Sequence, residues 1–488
     1  MSKANIEDLI IDKSVSRYNI PDNWFWTKLG NITRVESGGT PKTSVKEYFE
    51  DGDIPWITPA DLSGYKEMYI SKGNRNITEL GLKESSAKLL PKNTVVMSSR
   101  APIGYVAIAK NNLATNQGFK NFVPSNAIEP RYLYWYLKSS KSYIESLASG
   151  TTFKEISGSK CKEIEIPVPP IEEQRRIVKR VESLLTGLNQ AKQLIEEAKE
   201  TFQLRRAAIL DKAFRGKLTS KWREENKGDS VDNLLKKIRE QGAEKNKLKN
   251  DELDPLIANS LFQLPVGWRW VRLFEITQSS VFGSSAKASE DSSGVPVIRM
   301  GNITNGKIII DNLKYLPHDH QDVKKYTLEE NDLLFNRTNS LELVGKTAVV
   351  DATVAGRVTF ASYLIKVSLY LKDILAYYVC NYINSHIGRN ILLSMATQQV
   401  GQANINSTKL LSLPVPLPPE NELLEISKII RSLIEGQEST LESLELDTYL
   451  QDISQTILQK AFRGELGTND PNEESALELL KELLEQSI

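Results

Sequence analysis

The chain has little of what disulfide frameworks, metal centres and membrane spans are made from. Two cysteines, Cys161 and Cys380, and three histidines stand among 488 residues. Two cysteines are too few for a disulfide framework or a cysteine-built zinc site, and they favour a reducing, cytoplasmic setting. No run of roughly 18 apolar residues occurs, so no membrane-spanning helix is expected. The opening MSKANIEDLIIDKSVSR mixes acids into its apolar residues, which predicts no signal peptide. Net charge is zero, with 62 basic and 62 acidic side chains. A polyanion partner, if there is one, has to be met by local patches rather than by the whole surface. The basic residues gather between RGKLTSKWREENKG and KNKLKN, while the C-terminal tail is rich in Glu and Leu.

Catalytic signatures are missing too. SLELVGKT, residues 340–347, has Ser340 where a phosphate loop needs glycine to curl its N–H groups around the anion. No G-x-S-x-G, H-E-x-x-H or EF-hand loop occurs, nor the Asn-Pro-Pro-aromatic tetrapeptide of amino-methyltransferases. His318 and His320, the pair in HDH, read as a surface loop. The expectation is a chain with no catalytic residue, no metal and no cofactor of its own.

What is present is a repeat. ILDKAFRGKL (209–218) returns as ILQKAFRGEL (457–466). IPDNWFWTKLGNI (20–32) parallels LPVGWRWVRLFEI (264–276), setting Trp24 beside Trp268 and Trp26 beside Trp270. IPWITPADLSG, NTVVMSSR and IGYVAIA in the first half parallel VPVIRMGNITNG, NDLLFNRT and VGKTAVV in the second. IPVPPIEEQRRIV (166–178) parallels VPLPPENELLEIS (415–427). A period of about 245 residues is far beyond solenoid repeats and marks a tandem duplication of a whole unit.

Each unit opens with short β-branched and apolar runs broken by Gly, Pro and Asn, which predict strands and loops. One helix is expected near 131–149, with its partner near 373–396. Proline-rich punctuation follows, and then a long helix. From Ile177 the apolar steps alternate four and three through Val181, Leu184, Leu188, Ala191, Ile195, Ala198 and Phe202, a coiled-coil seam. A helix over 171–214 is roughly 65 Å long. The second copy, 420–462, places Ile426, Leu433, Leu444, Ile457 and Phe462 on the matching seam, as Phe214 ends the first. The spacing predicts an α+β fold: two tandem globular α/β domains joined by two long helices that form an antiparallel coiled coil, with pseudo-two-fold symmetry. The expected boundaries are an N-terminal extension 1–17, a first globular domain 18–168, a central helix 169–216, a basic linker 217–262, a second globular domain 263–416, a C-terminal helix 417–464 and an acidic amphipathic tail 465–488.

The candidate reading surface lies in loops. Gly38, Thr40, Lys42 and Thr43 suit close backbone approach and phosphate contact. Ser98, Ser99 and Arg100 follow a strand in the first domain, as Asn336, Arg337, Thr338 and Asn339 do in the second. Arg100 and Arg337 can reach guanine, Arg299 is a further DNA-binding candidate, and Asn116, Gln117, Asn336, Asn339, Gln399, Gln402 and Asn404 carry amides that match adenine's edge. Lys154 is one more DNA-binding candidate. A duplicated frame with diverged loops is what two different half-sites require.

The Pro-x-x-Trp openings, SGGTP (37–41), GTTFKEIS (150–157), the PLPP-type punctuation with EEQRRIV and the twin KAFRG endings resemble the specificity subunits of Type I restriction–modification enzymes, over roughly residues 18–466. The resemblance implies that each globular domain is a target recognition domain reading one half of a split sequence in double-stranded DNA. It also implies that the helices form the spacer and dock two modification subunits. Chemistry then belongs to partners: modification subunits bind S-adenosylmethionine and methylate adenine N6, and restriction subunits use ATP and Mg2+ to translocate and cut. Two departures stand out. LPPENELLEIS lacks the Glu-Gln-Arg-Arg helix start, and segments 216–262 and 467–488 have no counterpart in the sequence alignment. Two other readings are a specificity subunit serving a fused restriction–methylation polypeptide, and a coiled-coil adaptor that binds no DNA.

Overall fold

The computed structural model describes residues 6–100, 102–150, 154–242, 255–399, 402–442 and 447–486. The chain divides into two units, residues 1–195 with 445–488 and residues 196–444. Each unit therefore combines one globular repeat with helical segments from both copies of the spacer.

The same frame is built twice. In the first unit the entering strand Phe25–Lys28 pairs antiparallel with the leaving strand Glu165–Val168, Trp26 opposite Pro167. In the second, Arg269–Arg272 pairs with Pro414–Leu417, Trp270 opposite Pro416. The proline punctuation is thus an edge strand, the one place in a sheet where a missing N–H is tolerated. A five-stranded sheet follows in the order Thr33–Ser37, Phe119–Pro124, Val95–Ser98, Val106–Ala109, Tyr69–Ile70. Its counterpart has four strands, Thr277–Phe282, Leu364–Leu369, Leu333–Asn336 and Thr347–Val349. The inner strands of both sheets are buried on both faces. Alternate residues of one strand serve different cores: Val95 and Met97 pack on the aromatic helix, and Val96 packs with Ile57, Leu62 and Phe119. Leu333 and Phe335 are divided from Leu334 in the same way.

Each expected helix near the end of the globular part is a pair: Pro130–Ser139 with Lys141–Ser146, and Lys372–Asn384 with His386–Met395. Tyr132 and Tyr136 point from the first pair toward the punctuation strand, Tyr132 donating to the Pro167 carbonyl at 2.8 Å and Tyr136 to that of Glu165. Tyr378 and Tyr382 repeat this on Pro416 and Pro414, at 2.6 and 2.7 Å.

The first spacer helix runs unbroken over Ile171–Phe214. The second is described as Glu420–Glu442 and Asp447–Phe462, and Leu444 lies outside the described residues. In the first unit the start of one helix (Ile177, Val178, Val181) shares a core with the end of the other (Leu458, Ala461, Phe462). In the second unit the pattern reverses: Leu210, Ala213 and Phe214 join Leu423, Ile426 and Ile430. Start against end in both places is the pattern of an antiparallel pair. The seam differs in detail from the heptad reading. Leu184, Leu188, Ile195 and Phe202 are only half-buried, and Ala191 is exposed. Leu433 is 41 % exposed, and Ile430 and Ile434 take the inward positions instead. With apolar residues at Leu423, Leu424, Ile426, Ile429, Ile430, Leu433 and Ile434, periodicity alone leaves two faces open, and packing on the tyrosine helix selects one.

The twin phenylalanines lie where the two spacer helices meet, inside the units, and pack on the tyrosine helices as well. Phe462 meets Tyr132 and Tyr136 edge-on, both ring centroids 5.2 Å away, and Phe214 meets Tyr378 and Tyr382 at the same distance. The glycines two residues on, Gly464 and Gly216, have positive φ, and a Cβ on either would come within 2.4 Å of Pro21 or Pro265. KAFRG is therefore a plug that fits the Pro-x-x-Trp opening of the other repeat.

The two segments that the sequence leaves unmatched are counterparts of each other. Helix Val231–Glu240 buries Val231, Leu234, Leu235 and Ile238 in the second unit, and helix Leu477–Gln486 with Ala476 buries Ala476 and Leu480 in the first. Val231 N–H donates to the Gly267 carbonyl at 3.0 Å, and Ala476 N–H donates to that of Asn23 at 2.9 Å, in each case one residue before the tryptophan that the two repeats share. Helices Val231–Glu240 and Leu477–Gln486 thus fill one structural role with opposite net charge.

Candidate nucleic-acid interface

The loops named from the sequence converge within each repeat. In the first, Gly38 sits so close to the neighbouring strand that a Cβ would fall 1.9 Å from the Asn116 carbonyl oxygen. Its N–H donates to Phe119 at 3.2 Å, and Gly39 donates to Thr115 at 2.9 Å. This seats the loop against Asn116–Gln117, where the Gln117 N–H donates to Thr40 Oγ1 at 3.4 Å. Asn116 is half-buried and spends its Oδ1 on the Gly118 N–H. Lys42, Thr43, Gln117 and Lys154 are exposed around it.

Ser98 and Ser99 are fully buried. Ser98 Oγ donates to Pro102 at 2.7 Å and accepts from Tyr105, and Ser99 Oγ donates to Gly118 at 3.1 Å. Their hydroxyls shape the turn and present nothing to a ligand. Arg100, next in line, is half-exposed and lies 3.8 Å from Glu155.

The second repeat uses the same frame with other side chains. Ser99 N–H donates to Gly118 and Arg337 N–H to Tyr363, so Arg337 matches Ser99, and Arg100 matches Thr338. The two arginines are thus one residue apart. Asn336 is fully buried: its Nδ2 donates to Leu343 at 3.3 Å and its backbone bonds Lys346 and Gly345. The P-loop-like SLELVGKT is this turn, its backbone engaged within the protein. Arg337 stacks on Phe282, Cζ 4.7 Å from the ring centroid, and among the described residues it pairs with no carboxylate. Thr338 and Asn339 pair with Gln402–Asn404, which pairs with Thr397–Gln399, gathering the amide-bearing residues in one three-stranded ribbon. Asn404 Nδ2 donates to Thr338 Oγ1 at 3.1 Å. Asn339 reaches Met300, which lines a cleft of about 900 Å³ with Arg299, Asn302, Ser284, Lys314 and Tyr363. Arg299 donates through Nη2 to the Asn312 carbonyl, and its N–H donates to Asn302 Oδ1 at 2.9 Å. Thr58 and Asp61 make the same turn in the first repeat.

Sequence reasoning missed the counterpart of the glycine loop. Gly283 meets the Phe360 and Ala361 carbonyls as Gly38 meets Asn116, and Ser284 donates to Phe360 at 2.8 Å. This sets exposed Phe282 and Lys287 beside the cleft, Lys287 matching Lys42. The signal was there: a Gly followed four residues later by Lys in both copies, masked by the change from SGGTPK to FGSSAK. Among the described residues no group of histidine, cysteine and carboxylates could hold a metal, and no helix is long and apolar enough to cross a membrane. His320 instead caps helix Gln321–Lys325 through Nδ1, 3.1 Å from the Asp322 N–H.

In each unit, a helix-start glutamate holds the tryptophan. Trp24 Nε1 donates to Glu173 at 2.8 Å, and Trp268 Nε1 to Glu422 at 2.9 Å. Glu173 is thus buried structure rather than a free dipole partner, and Gln174 beside it bonds Ala127, Pro169 and Glu129. The environments differ. Glu422 also accepts from Thr219 at 2.7 Å and from Arg223 at 2.6 Å. Beside Glu173 the nearby Arg176 is engaged by Glu473. Burial raises the Glu173 carboxyl above the ordinary range, against the opposing pull of the Trp24 hydrogen bond. An acid raised in the fold stabilises it while protonated, so that contribution falls as pH rises from about 4.3, the ordinary glutamate value. Glu173→Gln should flatten the fall in thermal stability above that pH, whereas Glu422→Gln should cost about 2 kcal/mol at neutral pH by weakening a charge-assisted network. Melting curves of both variants across pH check this; equal behaviour of the two contradicts it.

Comparison with known proteins bears on the whole arrangement. The family model for the Type I restriction modification DNA specificity domain matches residues 21–200 and again 265–446. The specificity subunit of the MjaIX Type I restriction enzyme of Methanocaldococcus jannaschii is 36 % identical over 325 residues, covering 65 % of this chain and 67 % of that one. The EcoKI specificity subunit of Escherichia coli K12 is 26 % identical, with 93 % and 91 % covered. Among solved structures, a chain from a type I R-M system aligns with a TM-score of 0.62 at 20 % identity, covering 92 % of this chain and all of that one. The HsdS subunit of Thermoanaerobacter tengcongensis aligns with a TM-score of 0.51 at 19 % identity, over 92 % and 99 %. Both structures share the fold.

Proposed function

The chain belongs to the Type I restriction–modification DNA specificity family, and from that membership we propose how it works. It is the sequence-recognising subunit of a restriction–modification complex and not itself the enzyme. The first repeat reads one half of a split site in duplex DNA and the second repeat reads the other. The observation that carries this reading is one frame built twice with different side chains at matched loop positions: Ser99 against Arg337, Arg100 against Thr338, Asn116 against Ala361. Identical readers would demand a palindrome, and diverged readers give two unlike halves.

In the second half-site, Arg337, Asn339, Asn404 and Gln402 supply base-edge contacts, with Arg299 at the cleft. In the first, Arg100 and Gln117 do so. Lys42, Lys154 and Lys287 take phosphates. The paired helices set the distance between the halves and dock two modification subunits. S-adenosylmethionine, ATP and Mg2+ bind to the partners, as do the methyl transfer to adenine N6, which requires flipping the base out of the stack, and DNA cleavage. The complex acts in the cytoplasm, where its DNA lies.

Salt dependence tests this against an adaptor role. Each phosphate contact releases counterions, so the logarithm of the affinity should fall linearly with log salt, with a slope of roughly −0.9 per contact. Selection from random duplexes by the chain with its modification subunit should yield one bipartite sequence. Salt-insensitive association, or no selected sequence, contradicts DNA reading.

A further inference from the structure

We propose that the first unit carries a phosphate-binding pocket at the foot of the second spacer helix, a site that its duplicate in the second unit has lost. The pocket has a volume of about 380 Å³ and is lined by Arg17, Ser142, Tyr143, Gln455, Gln459 and Arg463, with Tyr18 and Phe462 at its base. Arg17 stacks on Tyr143, Cζ 3.5 Å from the ring centroid, and Arg463 lies over Tyr18 at 5.3 Å. A guanidinium held by its face keeps N–H groups for an oxyanion; of the Arg17 donors, Nη1 is spent on the Tyr136 hydroxyl at 3.3 Å. Among the described residues neither arginine pairs with a carboxylate, and no aspartate or glutamate lines the pocket. Glu165, the acid that the Tyr143 hydroxyl feels, forms no ion pair with either. The donors come from three separate segments, residues 17–18, 139–143 and 455–463. Convergence from several directions suits a tetrahedral anion with three or four acceptor oxygens better than a planar carboxylate.

The second unit supplies the comparison. Trp270 Nε1 donates to Phe262 as Trp26 Nε1 donates to Tyr18, so Phe262 stands for Tyr18. The matching pocket, about 430 Å³, is lined by Arg215, Leu261, Phe262, His386 and Asn390. Here Arg215 is ion-paired to Asp211 at 2.9 Å, where the first unit has Gln459, and Leu261 replaces Arg17. One pocket presents two uncompensated cations, and the other presents none. The difference comes from two positions in an otherwise shared frame.

The duplicate prescribes the variants. Gln459→Asp should neutralise Arg463 as Asp211 neutralises Arg215, and Arg17→Leu installs the residue that the second unit uses. Both side chains already work at those positions in the same frame, and Gln459→Asp alone serves if the double variant does not fold. Inorganic phosphate, titrated into the full chain without DNA and followed by calorimetry, should bind saturably to the native protein. Affinity should drop about tenfold or more in Gln459→Asp and vanish in the double variant. A parallel arm separates two sources of the phosphate. If it belongs to the DNA backbone, the double variant lowers the salt slope of DNA binding by about one to two at unchanged motif letters. If it belongs to a free nucleotide, ATP competes with inorganic phosphate and the salt slope stays. Unaltered phosphate affinity in the double variant overturns the proposal. So does a variant whose only loss is association with modification subunits, which would make the pocket a receptor for an acidic protein segment. Loss of the motif itself would instead count against the DNA-reading assignment.

Discussion

Replacing Phe462 with alanine is expected to destabilise the first unit by about 4 kcal/mol, the usual cost of removing a core phenylalanine. The ring is 2 % exposed and is held edge-on by two tyrosines whose hydroxyls are tied to the punctuation strand. Neither tyrosine can follow a shrinking side chain without giving up its hydrogen bond, so the cavity stays open and its full cost is felt. Because Phe462 comes from the end of the second repeat, the damage should appear more than 300 residues away in sequence, around Pro130–Ser139 and Phe25–Lys28. Phe214→Ala is the mirror experiment and should strike Lys372–Asn384. Hydrogen exchange resolved by segment checks both. If each variant loosened the globular part of its own repeat instead, the exchanged plugs would be refuted.

Much of this was open to reading in the sequence, because duplication supplies its own control. Two letters matched in two places are worth more than one motif, and the Trp24–Trp268 and Phe214–Phe462 pairings survive as matched contacts in the fold. The spacer helix was legible because Ile171–Phe214 holds no proline and keeps an apolar stripe. What remained hidden depends on which way a side chain faces. Ser98 and Ser99 look like loop hydroxyls, yet strand alternation and the tight turn to Gly104 send them inward. Asn336 looks like a base reader and is a buried bracket. Residue type names a chemistry and not a direction. The relation between 231–240 and 477–486 was hidden by charge, since VDNLLKKIRE and LELLKELLEQ share the apolar pattern and differ at the surface. Aligning on burial pattern rather than letters recovers it.

Lengthening the spacer helix is the second large effect expected, and it tests the two-reader account most directly. Residues 189–194 are exposed and belong to neither core, so an insertion after Gln193 should leave both globular parts intact. Four extra residues add about 6 Å of helix, against about 3.4 Å per base-pair step of DNA. Methylome sequencing of a host carrying the variant with its modification subunit reads the outcome at every genomic site. The native chain should give a single split motif with one modified adenine in each half. The insertion should keep every letter of both halves and widen the gap between them by one or two base pairs. An unchanged gap with altered letters in either half would contradict the division between readers and spacer.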